Sequence, residues 1–414
     1  MRRVVITGMG VVSPLGRGLE TNWKALEKGQ SGVRSLTSVD GYELAVKIAG
    51  QIPRGTVPGQ LDPNTVLSAK EQRHQDASVV YGIAATMDAM QDAGFTPDNI
   101  PNRERFGVVF GCGQGGLSKF FDGVKVYLEQ GANRISPFFM PSIIINETAG
   151  LASIKYGLEG PNLAVSTACA TGTHAIGEAY QYIKSGCADY MLAGSTEAPL
   201  NPLAFAGFNQ MRALSHREDN PQQASRPWDK NRDGFIMSEG AGALILEEYE
   251  AAKARGAKIY AEIIGYGVSA DAYHITAPGG TGAARAMRMA LQQAELQPSD
   301  IDYINAHGTS TALGDMVEFR AVKEIFGLTG PAMSSTKSMT GHMLGGAGSV
   351  EAVYSVLALQ HNIMPPTINL ENPEEETQGF NLVPNQAQAK NLNIVLSNSF
   401  GFGGTNASLI FKKV

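Results

Sequence analysis

Three side chains sit where a covalent reaction could be run: Cys169, His307 and His342. Cys169 follows Ala164-Val165-Ser166-Thr167-Ala168, where an apolar run gives way to small residues, and a helix pattern begins near Thr171. A thiol at that point faces the unpaired N–H groups and positive dipole end of a helix, which favours thiolate. Small neighbours leave room for a substrate and let backbone amides point at a developing oxyanion. His307 lies in Asn305-Ala306-His307-Gly308-Thr309-Ser310-Thr311, just past the apolar stretch 301–304, and His342 closes Lys337-Ser338-Met339-Thr340-Gly341-His342. Both histidines read as strand-to-loop positions rather than core filling.

One cysteine with one histidine suggests hydrolysis or thiol transfer; a second histidine meets another need. Decarboxylation of a malonyl thioester leaves an enolate, whose oxygen needs hydrogen-bond donors in a dry pocket. Two neutral imidazoles supply them without a metal, and the carbanion then attacks an acyl group held on the cysteine. The other thiols, Cys112 in a glycine loop and Cys187 near a helix end, read as inert. His174 reads as packed one turn beyond Cys169, and His74, His216, His274 and His361 as structural or surface residues.

The elements that would position these groups recur. RVVITGMGVVS (3–13) is echoed by YAEIIGYGVSA (260–270), and FGVVFGCGQGG (106–116) by DYINAHGTST (302–311). VSTACATGTHAIG (165–177) is echoed by MSSTKSMTGHMLG (333–345), and DYMLAGSTEA (189–198) by IVLSNSFGFG (394–403). The four pairs run in the same order, each a buried strand entering a Gly/Ser/Thr turn. Between them, 77–93, 282–296 and 349–361 carry apolar residues at helical spacing. The pattern predicts two similar α/β halves, 1–255 with the nucleophile and 256–414 with both histidines, packed with their sheets buried on both faces. Residues 16–105 and 116–160 read as cap and interface insertions.

The composition excludes several classes. A net charge of −6 does not suit a wholly basic nucleic-acid protein. Three cysteines make no disulfide framework or zinc pair and suit a reducing compartment. No signal-peptide pattern or run of about 18 apolar residues occurs, so a cytoplasmic enzyme without a membrane span is expected.

Thr167-Ala168-Cys169, the His307 block, Ser335-Thr336-Lys337-Ser338-Met339-Thr340-Gly341-His342 and Asn398-Ser399-Phe400-Gly401-Phe402-Gly403-Gly404-Thr405-Asn406 resemble the signatures of 3-oxoacyl-[acyl-carrier-protein] synthases. Asp271-Ala272-Tyr273-His274-Ile275-Thr276-Ala277-Pro278 is similar to the elongating synthase II branch, and the resemblance runs from Val4 to the C-terminus. It implies a thiolase-like five-layer αβαβα fold, a homodimer, and condensation of a Cys169-bound acyl chain with malonyl units in fatty acid elongation. Cys169 would be the nucleophile, His307 and His342 the decarboxylation pair, Lys337 and Glu351 their support. The N–H groups of Cys169 and Phe402 would form the oxyanion hole, with Phe402 also a gate. The resemblance implies substrate contacts at Thr309, Thr311, Thr276, Gln114, Phe139 and Phe208, and docking of an acidic acyl carrier protein by Lys70, Arg73, Arg134 and Arg212. It implies no metal and no resident cofactor, the phosphopantetheine arriving on the carrier.

Two residues depart from the family pattern: Gln114 and Glu147 stand where apolar residues are usual. A buried unpartnered amide costs about 1–3 kcal/mol, and Gln114 could shorten the accepted chain or select polar or conjugated ones. A specialised type II polyketide or polyene ketosynthase is therefore the runner-up. Three rivals fail on residues. GxGxxG at 111–116 lacks the acidic residue expected near Ser136 for a dinucleotide site. A biosynthetic thiolase needs a second cysteine near the C-terminus, and none follows Cys187. A non-catalytic chain-length-factor-like partner would lack the nucleophile.

Overall fold

The computed structural model describes residues 2–36, 38–39 and 41–414. Ten strands carry the fold. The first five are β1 (Val4–Ser13), β2 (Phe106–Cys112), β3 (Asn162–Leu163), β4 (Tyr190–Glu197) and β5 (Gly240–Glu248). The second five are β6 (Ala261–Ala270), β7 (Tyr303–Asn305), β8 (Ala332–Ser334), β9 (Ile394–Gly401) and β10 (Thr405–Lys412). They lie in the order β3-β2-β4-β5-β1-β6-β10-β9-β7-β8. Read inward from either edge, each set has its third, second, fourth, fifth and first strand in turn. The directions match as well: β2 is parallel to β3 and β4, and β7 to β8 and β9, while the remaining neighbours are antiparallel. The two sets form one sheet, because Val4, Val5 and Ile6 of β1 pair with Ile263, Glu262 and Ala261 of β6.

The glycine pairs within the first echo have a packing cause. Strand register shifts between Ile6 and Gly8 in β1 and between Ile263 and Gly265 in β6. Helices α1 (Ala77–Asp92) and, in the second half, Gly282–Gln293 then lie directly on the strands. A Cβ at Gly10 would stand 2.0 Å from the Ala85 carbonyl oxygen, and one at Gly267 2.0 Å from that of Ala286. Only glycine permits that approach of helix backbone to strand.

Five layers result. Helix α1 and α2 (Glu147–Tyr156) cover one outer face, and α4 (Gly282–Gln293) with α5 (Ala312–Phe326) the other. Between the strand sets lie α3 (Thr171–Lys184) and α7 (Ala347–His361), preceded by the short α6 (Lys337–Thr340). The two central helices start against each other: a Cβ at Gly172 would fall 2.4 Å from the Ser349 nitrogen, and one at Gly348 2.6 Å from the Thr173 nitrogen. The segment 16–105 is thus more than a cap, since α1 forms an outer layer packed on β1, β4 and β5. Leu117–Gln130, by contrast, buries none of its residues and leaves Phe120, Val124, Tyr127 and Leu128 exposed.

Candidate active site

After β3 the chain turns sharply, with Ala168 at φ +48°, a strained value for a residue bearing a Cβ. The Thr167 carbonyl accepts from the Ala170 N–H at 3.1 Å, and the Ala168 carbonyl from the Thr171 N–H at 3.2 Å. Cys169 is thereby held at the apex, one residue ahead of the cap of α3. The end of β9 closes over this elbow: a Cβ at Gly401 would lie 2.8 Å from the Thr167 oxygen and 3.1 Å from the Cys169 nitrogen. The N–H groups of Phe402 and of Cys169 itself act on the sulfur in favour of its anion.

The thiol is not held as thiolate. Burial pushes it up to about 12, Glu197 adds to the rise, and Lys337 with the two N–H groups pulls the other way. The helix position suggested the opposite, but desolvation of a buried anion outweighs the dipole here. The resting group is therefore a thiol.

His307 follows β7, and its loop is fixed from behind: Glu318 of α5 accepts from the His307 N–H at 2.9 Å and the Gly308 N–H at 2.8 Å. His342 is not at a strand end, contrary to its sequence reading. It follows α6 and is clipped to 236–238 through its N–H to the Ile236 oxygen, 2.8 Å, and its oxygen from the Ser238 N–H, 3.1 Å. The two rings meet edge to face, centroids 5.3 Å apart at 88°. Each buries its Nδ1 without a partner. Burial holds both imidazoles well below their usual 6.5, reinforced by the Lys337 charge, so both are neutral at pH 7. The three side chains line one cavity of about 590 Å³.

The family models for the beta-ketoacyl synthase N-terminal and C-terminal domains match residues 1–252 and 260–371. The chain belongs to the beta-ketoacyl synthase family. It is 51% identical over 419 residues to "3-oxoacyl-[acyl-carrier-protein] synthase 2" of Rhizobium meliloti (strain 1021), covering 100% of this chain and 99% of that one. A beta-ketoacyl synthase from Burkholderia phymatum STM815 superimposes with a TM-score of 0.91 at 37% identity, covering 100% of both chains. The ishigamide ketosynthase/chain length factor does so at 0.92 and 34%, covering 100% of this chain and 99% of that one.

In this synthase Lys337 and Glu351 lie behind the histidines as a fully buried ion pair. Burial pushes the Glu351 carboxyl up against the pull of the Lys337 ammonium. Thr309, Thr311, Thr276, Gln114, Phe208 and Phe402 line the cavity. Phe139 does not: it packs against Phe120, ring centroids 6.4 Å apart. Among the basic residues only Arg212 lines the cavity. Lys70 and Arg73 are exposed on the helix Ala69–His74, whose His74 stacks on Phe138, and Arg134 is exposed in Ala132–Arg134. Glu147 accepts from the Gln75 side chain at 3.2 Å.

Two carboxylates escaped the sequence reading. Glu318 supports the His307 loop, and Glu197, at the end of β4, supports the loop after β2. Glu197 accepts from the N–H groups of Gly113, Gln114 and Gly345 at 2.9, 3.1 and 3.0 Å and from the Cys112 thiol at 3.3 Å. Burial pushes each carboxyl up to about 7 against these hydrogen bonds. Their signal was an acidic residue at an otherwise apolar, buried position, a placement that demands donors. His274 also shapes the mouth: its Nδ1 accepts from the N–H groups of Thr276 and Ala277, both at 3.1 Å.

Proposed function

We propose that this chain elongates acyl chains as a 3-oxoacyl-[acyl-carrier-protein] synthase, a decarboxylating acyltransferase of fatty acid biosynthesis. The observation that carries the reading is two neutral imidazoles set edge to face in the cavity that also receives the Cys169 sulfur. Full-length similarity to a synthase of that name supports it.

In the first half-reaction the Cys169 sulfur forms a bond to the acyl carbonyl carbon while the carbon–sulfur bond to pantetheine breaks. The N–H groups of Cys169 and Phe402 hold the intermediate oxyanion. The thiol proton ends on the departing pantetheine sulfur, consistent with a resting thiol. A malonyl thioester then enters, and its carbon–carboxylate bond breaks to release CO2. N–H donors on His307 and His342 stabilise the enolate oxygen, and the carbanion displaces Cys169 as a thiolate, which takes up one proton from solvent to restore the thiol as the 3-oxoacyl thioester leaves. Thr309 and Thr311, whose hydroxyls lie 3.1 Å apart, would hold the pantetheine arm with Thr276, and Lys337 with Glu351 would fix the field behind the rings.

The reading extends to partners. An acidic acyl carrier protein would meet Arg212 at the mouth, with Lys70, Arg73 and Arg134 as further docking charges. A second copy would cover the exposed apolar surface of Phe120, Tyr127, Leu128, Phe138 and Met140. Nucleophile half 1–255 and histidine half 256–414 would act as one fused unit. Among the described residues no helix is long and apolar enough to cross a membrane, and the cysteines are free. Both support a cytoplasmic enzyme. The polyketide reading retains one specific observation in its favour, the unpartnered amide of Gln114.

The test is to mix the protein with acyl- and malonyl-loaded carrier protein and follow the products by mass spectrometry. The expected product is a 3-oxoacyl chain two carbons longer, with CO2 released. Hydrolysis of the acyl thioester without chain growth would overturn the reading.

A further inference from the structure

Among the described residues, three polar atoms of cavity-lining side chains are buried without a hydrogen-bond partner: Nδ1 of His307, Nδ1 of His342 and Oε1 of Gln114. The first two belong to rings that the condensation uses. The third has no part in that chemistry.

The loop that carries Gln114 has little freedom to find the amide a partner. On one side its N–H and that of Gly113 are tied to Glu197, and a Cβ at Gly113 would stand 2.4 Å from Glu197 Oε2. On the other side the Gly116 N–H donates to the Ile143 oxygen at 3.2 Å. A Cβ at Gly116 would fall 2.0 Å from the Ser142 oxygen, and Gly115 sits at φ +67°. The carboxylate that holds the loop is already engaged, since both Glu197 oxygens accept. Gln114 itself lines the cavity, so its amide meets whatever enters there.

An alkyl chain passing this loop leaves the buried amide oxygen unsatisfied. A hydroxyl both donates and accepts, so it satisfies the amide in either orientation of its O and N atoms. An anionic substituent would meet the same desolvation that pushes the neighbouring Glu197 carboxyl up to about 7. We propose that Gln114 is a specificity-determining residue, and that the preferred primer is a neutral acyl chain bearing a hydroxyl where it passes the 113–116 loop. This deepens the condensing-enzyme reading and rests on it.

The experiment uses the full chain and carrier-bound acyl thioesters of one length. One is saturated, and the others carry a single hydroxyl moved along the chain. The readout is the rate of Cys169 acylation by intact-protein mass spectrometry. In the wild type at least one hydroxylated isomer should react about 3- to 10-fold faster than the saturated chain, the range one neutral hydrogen bond supports. Gln114→Met, similar in length but without amide hydrogen bonding, should bring that ratio to about one, partly by speeding the saturated chain. Gln114→Leu should do the same, separating lost hydrogen bonding from a packing fault peculiar to methionine. A wild type that prefers the saturated chain to every isomer overturns the inference, as does an unchanged ratio in both variants. If no thioester acylates the wild type, the condensing-enzyme reading fails and takes this inference with it.

Discussion

The turns after β3 and β8 hold matching places in the strand order, yet they do opposite things with their length. The first runs straight from β3 into α3 through a strained elbow, so that Cys169 is presented at the cavity. The second inserts α6 before α7, and the extra chain buries Lys337 against Glu351 and folds His342 onto 236–238. A duplicated scaffold thus brings two helix starts to one place. Shortening one turn exposes a nucleophile, while lengthening the other buries a charge and presents an imidazole. The loops after β2 and β7 share a simpler rule, each being tied down by a buried glutamate through consecutive N–H groups.

The largest effect should come from the short turn. Cys169→Ala is expected to cut condensation by roughly 10³-fold or more, since no neighbouring group can carry the acyl chain. Product mass spectrometry checks this, and retained turnover would place the nucleophile outside the elbow. On the other side of the cavity, His307→Ala and His342→Ala should each lower condensation by about 10²- to 10³-fold, the scale of one lost oxyanion donor. An effect confined to one ring would reduce the pair to a single donor.

The next comparison concerns the buried charge that only the long turn carries. Lys337→Met leaves Glu351 in the core without its cation and should cost about 3–5 kcal/mol in urea unfolding. Adding Glu351→Leu should recover most of that stability without recovering the condensation rate. Recovery of both would make the pair purely structural.

How much of this could be read in the chain depends on how local the cause is. The echoes at 3–13 and 260–270 survive as letters because glycine is demanded wherever helix backbone touches strand, at Gly10 and at Gly267 alike. The Cys169 elbow was legible for a similar reason, since a sharp turn into a helix selects small residues over a short stretch. The position of His342 was not legible, because a bridge to 236–238 depends on a segment far away in sequence. The rise of the Cys169 thiol was not legible either, because desolvation is a property of the whole cavity. Glu197 and Glu318 look like ordinary acids until the loops that donate to them are folded around them.

The smallest effect is one of pH. Burial holds both imidazoles below their usual value in the folded chain, so the unfolded chain takes up protons first as pH falls through about 6.5. Their contribution to stability is therefore present above pH 6.5 and lost below it, at up to about 1.4 kcal/mol per pH unit for each ring. Urea unfolding should show His342→Gln losing less stability than the wild type between pH 7 and pH 5. Equal slopes would mean that the ring takes up its proton alike in the folded and unfolded chain.

Cys169→Gln removes the nucleophile and isolates the enolate step, so malonyl decarboxylation in that variant interrogates the two rings alone. Carbon dioxide release from malonyl-carrier protein should persist in Cys169→Gln and collapse when either His307→Ala or His342→Ala is added. Release that continues undiminished in both double variants would contradict a paired-imidazole site for the enolate.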